Sequence, residues 1–210
     1  MFRLDRSRLR RLLPVTMVVA IVAVVAVPGP QSSAAIPPAG LECLNSSSNA
    51  FSLTAAGDYI STPDGNSIYM WSYGPSGGTF QFPGPTLCVD SGVRVTLVLH
   101  NTLPENTSIT FPGQTQVLAD GRPAQPEFDA SNNLTSLTTS AAATSGAVTY
   151  TFTAGAPGTY LYQSGTDVQK QVQMGLFGAL VVRPAGLHGQ ENNRADSAFD
   201  PGHEYLYMLS

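Results

Sequence analysis

Two hundred and ten residues are enough for one sizeable domain and do not require two. Only 11% of them are charged, while Gly (20) and Pro (16) are plentiful, a balance that fits a turn-rich β protein better than a helical one. Five of the ten basic residues (Arg3, Arg6, Arg8, Arg10 and Arg11) lie in the first eleven positions. Past residue 35, five basic residues face thirteen acidic ones, a net −8 that excludes a basic footprint for nucleic acid.

Residues 1–35 have the parts of an export signal: the Arg-rich start, an apolar run from Val15 to Val27, and small residues around Ser33-Ala34-Ala35. The apolar run is short of the roughly 20 residues that a membrane span needs. Two readings stand, a cleaved signal peptide and an uncleaved N-terminal anchor, and only the second implies a membrane partner. Both place the folded part outside the cytoplasm, secreted or extracytoplasmic, where thiols oxidise. Cys43 and Cys88 are then expected to form a disulfide, the alternative being two separate buried thiols.

Residues 36–49 read as a linker, and the fold begins after it. Phe51 to Ile60 and Ser67 to Tyr73 are β-prone runs joined by Thr62-Pro63-Asp64-Gly65-Asn66, where Pro and Gly stand as a hairpin turn requires. Pro83-Gly84-Pro85-Thr86-Leu87-Cys88-Val89 follows, with prolines that confine pairing to a strand edge or entrance. Val93, Val95, Leu97 and Leu99 alternate with Arg94, Thr96 and Val98, so one face of this strand is core. Between Pro112 and Gly146 neither alternation nor helical spacing is visible. Asp129 to Gly146 is so rich in Ser, Thr, Ala and Asn that it is expected to be a mobile loop. Val148, Tyr150 and Phe152 then alternate with threonines, and Ala156-Pro157-Gly158 leads into two further strands, Thr159 to Ser164 and Gly178 to Val182, across a short polar connection. Residues 185–210 are read as a polar connection followed by the start of a further strand at Glu204. Seven or eight strands with turn signals between them define an all-β, Greek-key sandwich.

Several short runs, in order, resemble the first cupredoxin (plastocyanin-like) domain of the multicopper oxidases, the laccase-like family. They are Pro83-Gly84-Pro85-Thr86-Leu87, Asp90-Ser91-Gly92, Asn101-Thr102-Leu103-Pro104 and Gly158-Thr159-Tyr160-Leu161-Tyr162. The resemblance spans residues 50–184 and implies a β-sandwich or barrel of cupredoxin type. It also implies a copper-dependent oxidoreductase family, in which two His-x-His pairs from this domain help hold a trinuclear copper cluster that reduces dioxygen. A following cupredoxin domain of the same polypeptide is the implied partner. This chain departs from the family at the ligands. Thr110 and Pro112 stand within Ser108-Ile109-Thr110-Phe111-Pro112-Gly113 where the family has Ser-Ile-His-Trp-His-Gly, and Gln163-Ser164-Gly165 replaces His-Ser-His. None of Thr110, Pro112, Gln163 and Gly165 offers the imidazole that copper prefers.

The other candidates for chemistry are thin. His100 ends a strand beside a turn, and His188 and His203 lie in the polar tail without a second ligand at a recognised spacing. A blue-copper centre needs two His and a Cys together, and pairing with Cys43 accounts better for Cys88. Asp64, Asp120 and Asp129 stand in turn contexts, and Tyr160 and Tyr162 read as core or corner residues. Asn45, Asn106 and Asn133 begin glycosylation sequons. The residues thus point to a domain with no catalytic or cofactor site of its own, structural or binding in role. Copper enters only if residues beyond 210 supply it, which is the second expectation, an oxidoreductase whose copper sites lie there.

Overall fold

The computed structural model describes residues 40–44, 46, 48–187, 189–192 and 194–209. The signal segment, most of the linker's first half, Asn45 and His188 lie outside them. Among the described residues, eleven strands, one α-helix and two short 3-10 turns follow one another along the chain.

The long hairpin forms first along the chain. Strand β1 (Ala50–Ser61) and strand β2 (Ser67–Pro75) pair antiparallel from Leu53 with Pro75 to Ser61 with Ser67. Their turn closes because the Thr62 and Gly65 amides bond across it to Asn66 and Thr62 carbonyls, with Gly65 at φ 85°. Next come β3 (Leu87–Asp90) and β4 (Arg94–Asn101), where alternation places Val95, Leu97 and Leu99 inside at zero exposure. Four pieces of two or three residues follow: β5 (Leu118–Ala119), β6 (Arg122–Pro123), β7 (Glu127–Phe128) and β8 (Leu134–Ser136). Strand β9 (Ala147–Thr153) buries Val148, Tyr150 and Phe152 by the same period of two. Strand β10 (Gly158–Gln163), helix α1 (Val168–Met174) and strand β11 (Phe177–Arg183) complete the domain.

The strands assemble into a six-stranded sheet in the order β2-β1-β4-β9-β5-β6 and a three-stranded one in the order β10-β11-β3, with β7 and β8 as a separate pair. Two pairings are parallel, β1 with β4 and β3 with β11, and these stitch early chain to late chain. Apolar residues of both sheets form one core, among them Leu53, Tyr73 and Leu97 from the larger and Leu87, Tyr162 and Leu180 from the smaller. Each such side chain contributes about 1.5–3 kcal/mol by leaving water. Strand β11 is buried on both faces, as its unbroken apolar run requires. Its outward Phe177 packs edge to face with Phe82 at 5.9 Å, and Arg183 pairs with Glu204 and lies over the Phe199 ring at 5.4 Å. Seven strands have four residues or more, in line with the count read from the sequence. Cys43 and Cys88 are joined, so of the two cysteine readings the disulfide is the one realised.

Three expectations are corrected. The polar connection before β11 is a helix, α1, whose entry residue Asp167 is in the left-handed region (φ 38°) and makes no side-chain cap. It is held by tertiary contacts: the buried Gln171 side chain bonds inward, while Lys170 pairs with Glu105 and lies 5.2 Å above the Trp71 ring. The segment 129–146 is not a patternless mobile loop. It contains part of the β7/β8 pair and bridges Thr107 through Ala141 and Thr166 through Ser136, and Ser136, Thr138 and Ala141 are buried. Hydroxyl and main-chain hydrogen bonds anchor it, which a search for apolar periodicity does not detect. Residues 204–209, expected to start a strand, are extended but pair with no strand.

Candidate functional site

The residues singled out in the sequence converge where two segments cross. Thr110 and Gln163 are antiparallel bridge partners. The Thr110 amide donates to the Gln163 carbonyl at 2.7 Å and the Gln163 amide returns a bond to the Thr110 carbonyl at 3.2 Å. The Thr110 hydroxyl also donates to the Gln163 carbonyl, at 3.0 Å, so it is already committed to main chain. Gly165 abuts the same point. A Cβ built on it would lie 2.7 Å from Thr110 Cγ2, 3.1 Å from Ser108 Oγ and 3.3 Å from Leu137 Cβ. Pro112 stands apart, exposed in the turn to Gly113, which packs against the Tyr160 ring.

Beneath this junction lies a buried polar cluster that sequence reasoning missed. Ser108, Ser136 and Thr166 form a triangle of hydroxyls with sides of 3.1, 2.9 and 3.0 Å. All three residues are buried. The Gly165 amide donates to Ser108 Oγ at 3.2 Å, and Ser136 Oγ donates to the Thr138 carbonyl at 2.6 Å. One residue away, Ser164 Oγ donates to Gln171 Oε1 at 2.7 Å, and Gln171 Nε2 donates to the Asn106 carbonyl at 2.9 Å. Tyrosines close the sides: Tyr73 donates to the Ser108 carbonyl at 2.6 Å, and Tyr150 donates to the Thr139 carbonyl at 2.6 Å while accepting from the Ile109 amide. Tyr162 donates to the Pro85 carbonyl at 2.7 Å. Burial pushes all three phenols well above their ordinary value, so they stay neutral donors. Such polar groups are tolerated in a core because each finds a partner. The sequence signal was slight: Ser108 and Thr166 lie close to the ligand positions, and Ser136 falls in the segment expected to be a mobile loop.

This packing makes Gly165 intolerant of any side chain. Gly165→Ala is expected to lower stability by about 1–3 kcal/mol, because the methyl group has to displace Thr110 or Leu137. Chemical denaturation of the two proteins measures it, and equal stability would show that the junction is looser than described.

The remaining candidates lie elsewhere. His100 is exposed on β4, opposite Ala147, and His203 is exposed with Nδ1 2.7 Å from Asp200. The Asp64 and Asp129 carboxyls are held below the usual range by side-chain hydrogen bonds, chiefly from Thr62 and Asn133 respectively, as turn formers. Among the described residues no group of three His, Cys, Asp or Glu side chains is placed to hold a metal ion.

The fold is a two-sheet β-sandwich of cupredoxin type with two parallel pairings, β1 with β4 and β3 with β11. Its counterparts among solved structures include a multicopper oxidase from Pseudomonas thermotolerans, 21% identical with a TM-score of 0.52, covering 67% of this chain and 30% of that one. A blue copper oxidase from Nitrosomonas europaea is 22% identical with a TM-score of 0.51, over 64% of this chain and 38% of that one. Likeness at this level concerns the fold. The family model described as multicopper oxidase matches residues 77–186, more than half of the chain, and the chain belongs to that family. Multicopper oxidase CTB12 of Cercospora beticola is 35% identical over 106 residues. The matched part is 49% of this chain and 14% of that relative.

Proposed function

We propose that this chain is an exported member of the multicopper oxidase family whose cupredoxin domain is degenerate at the copper ligands and serves as a structural or binding domain. The observation that carries the reading is the closed junction at the ligand positions. The cluster that the family resemblance implies takes two imidazoles from each of these segments, on side chains that reach a common point. Here Thr110 and Gln163 are bonded to each other through main chain, and Gly165 has no room for a Cβ. A hydroxyl, a proline, a side-chain amide and a glycine offer copper no imidazole, so the donor set does not fit it. Ser164 donates to Gln171 and Ser108 accepts from the Gly165 amide, and these hydrogen bonds hold the frame in place.

Copper loading of the exported chain, followed by desalting and elemental analysis, tests this. The expected result is no stoichiometric copper and no turnover of a phenolic substrate. Replacing Thr110, Pro112, Gln163 and Gly165 together by His should not create oxidase activity. One tightly held copper per chain, or turnover, would show that other residues supply the ligands.

The small share of the relatives' lengths that this chain spans supports a second reading, in which it is the N-terminal domain of a copper-dependent oxidoreductase. The copper ligands would then lie in a following cupredoxin domain. His-x-His and His-Cys-His motifs in sequence continuing past Ser210 would favour it, and a continuation lacking them would leave the structural or binding role.

A further inference from the structure

An apolar cavity lies on the outer face of the smaller sheet. Tyr162 and Leu180 point into the core, so the residues that alternate with them along β10 and β11 point away from it. Leu161 is the register partner of Ala179, and Gln163 of Phe177, which puts these four side chains on that outer face. Residues 206–209 bound the same space. They are extended and pair with no strand, and they lie against the domain through alternate residues: Leu206 and Met208 are half-buried, whereas Tyr207 and Leu209 are 83% and 98% exposed. With Val172 of α1 and Phe82, they leave a cavity of about 720 Å³.

Charge is partitioned across this face. A neighbouring cavity, which shares Thr159 with the apolar one, is lined by Arg183 and by Glu191, Asp196, Asp200 and Glu204. These are all four of the acidic residues that follow β11. Among the described residues no charged side chain lines the apolar cavity. Its polar groups differ in their commitments. The Tyr160 hydroxyl already donates to the Ala156 carbonyl at 2.8 Å. The carboxamides of Gln163 and Gln173 bond to none of the described residues.

We propose that this cavity binds a small uncharged molecule, apolar over most of its surface and carrying one group that a carboxamide can hydrogen-bond. Volume, charge and polarity each select that class. Small-molecule pockets measure about 300–1,000 Å³ and combine a mostly apolar lining with a few polar groups that orient the ligand. An ion would give up its water here and meet no counter-charge. Residues 206–209 already occupy part of the face, and what remains is a bounded space of small-molecule size. The inference rests on the reading that Gln163 holds no copper, since only then is its carboxamide available to a ligand.

Fluorescence titration with phenylnaphthylamine, an uncharged probe with a single N–H donor, is the test. Anilinonaphthalene sulfonate, which has the same rings and a negative charge, serves as its counterpart, and copper is measured in the same sample. The exported chain should bind one equivalent of the uncharged probe saturably, and the charged one about tenfold more weakly or worse. Leu161→Glu should weaken the uncharged probe by about tenfold or more, with the circular dichroism spectrum unchanged. Should that variant fail to fold, Met208→Glu makes the same test from a segment that pairs with no strand. Absence of saturable binding, equal affinity for the two probes, or binding that survives intact in the folded glutamate variant overturns the proposal. Copper in the sample counts against the reading of Gln163 instead, so the two failures are read from separate signals.

Discussion

Raising the pH above about 10 should unfold this protein steeply. Below that value the Tyr73, Tyr150 and Tyr162 phenols are neutral in both the folded and unfolded chains. Above it the unfolded chain releases their protons, while in the folded protein burial keeps the phenols protonated by raising their pKa values. The native state then binds more protons than the unfolded one, so stability is full below the unfolded value and falls as pH rises through the window up to the folded values. Each ring contributes a slope of about 1.4 kcal/mol per pH unit, and three together about 4. Against a typical total of about 5–15 kcal/mol, a unit or two of pH is enough. Circular dichroism followed alongside phenolate absorbance checks this. The last part of the phenolate signal should appear with loss of the fold. If all of it develops while the fold persists, the rings are not sealed as described. Tyr162→Phe should flatten the slope by about a third, since one of the three groups is gone.

Removing the disulfide has the other large effect expected. Cys43 and Cys88 are 45 residues apart. In the chain-entropy account, cross-linking a loop of that length restricts the unfolded state by about 4 kcal/mol. The double replacement of Cys43 and Cys88 by Ala should therefore lower the free energy of unfolding by about that amount in guanidinium titrations. A loss below about 1 kcal/mol would mean that the reduced chain is already held together there by other contacts.

What was legible in the sequence had a period. Val95, Leu97 and Leu99 announced β4, and Val148, Tyr150 and Phe152 announced β9, because a half-buried strand imposes alternation on its residues. The hairpin was legible from Pro63 and Gly65, whose backbone restrictions are local. The ligand positions were legible as members of a familiar frame, and the structure brings Thr110, Gln163 and Gly165 together. Other features had no local signature. Helix α1 has seven residues, no side-chain cap and a buried glutamine, so its stability lies in contacts with Trp71, Glu105 and Asn106 from distant parts of the chain. The hydroxyl triangle was invisible for a related reason. Ser108, Ser136 and Thr166 become core residues only when three separate segments meet, and one of those segments has the composition of a linker. The exposure of Ile68 and Tyr69 could not be inferred either, since it depends on how far β4 runs beside β1.

The disulfide bears on the order in which the chain folds. The parallel pairing of β1 with β4 matches Ala50 to Thr96, and the link between Cys43 and Cys88 closes nearly the same loop a few residues earlier. Contacts so distant in sequence make folding slow, because the ends of a long loop have to find each other before any contact rewards the search. Once the cysteines are joined, that search is over for the larger sheet, and β1 has only to align beside a neighbour already within reach. The smaller sheet receives no such help: Leu87 has to wait for Leu180, far down the chain, before β3 gains its partner. The route this connectivity favours assembles the hairpin, β4 and β9 first and adds β11 last, which leaves the hydroxyl cluster under Gly165 as the final piece to close.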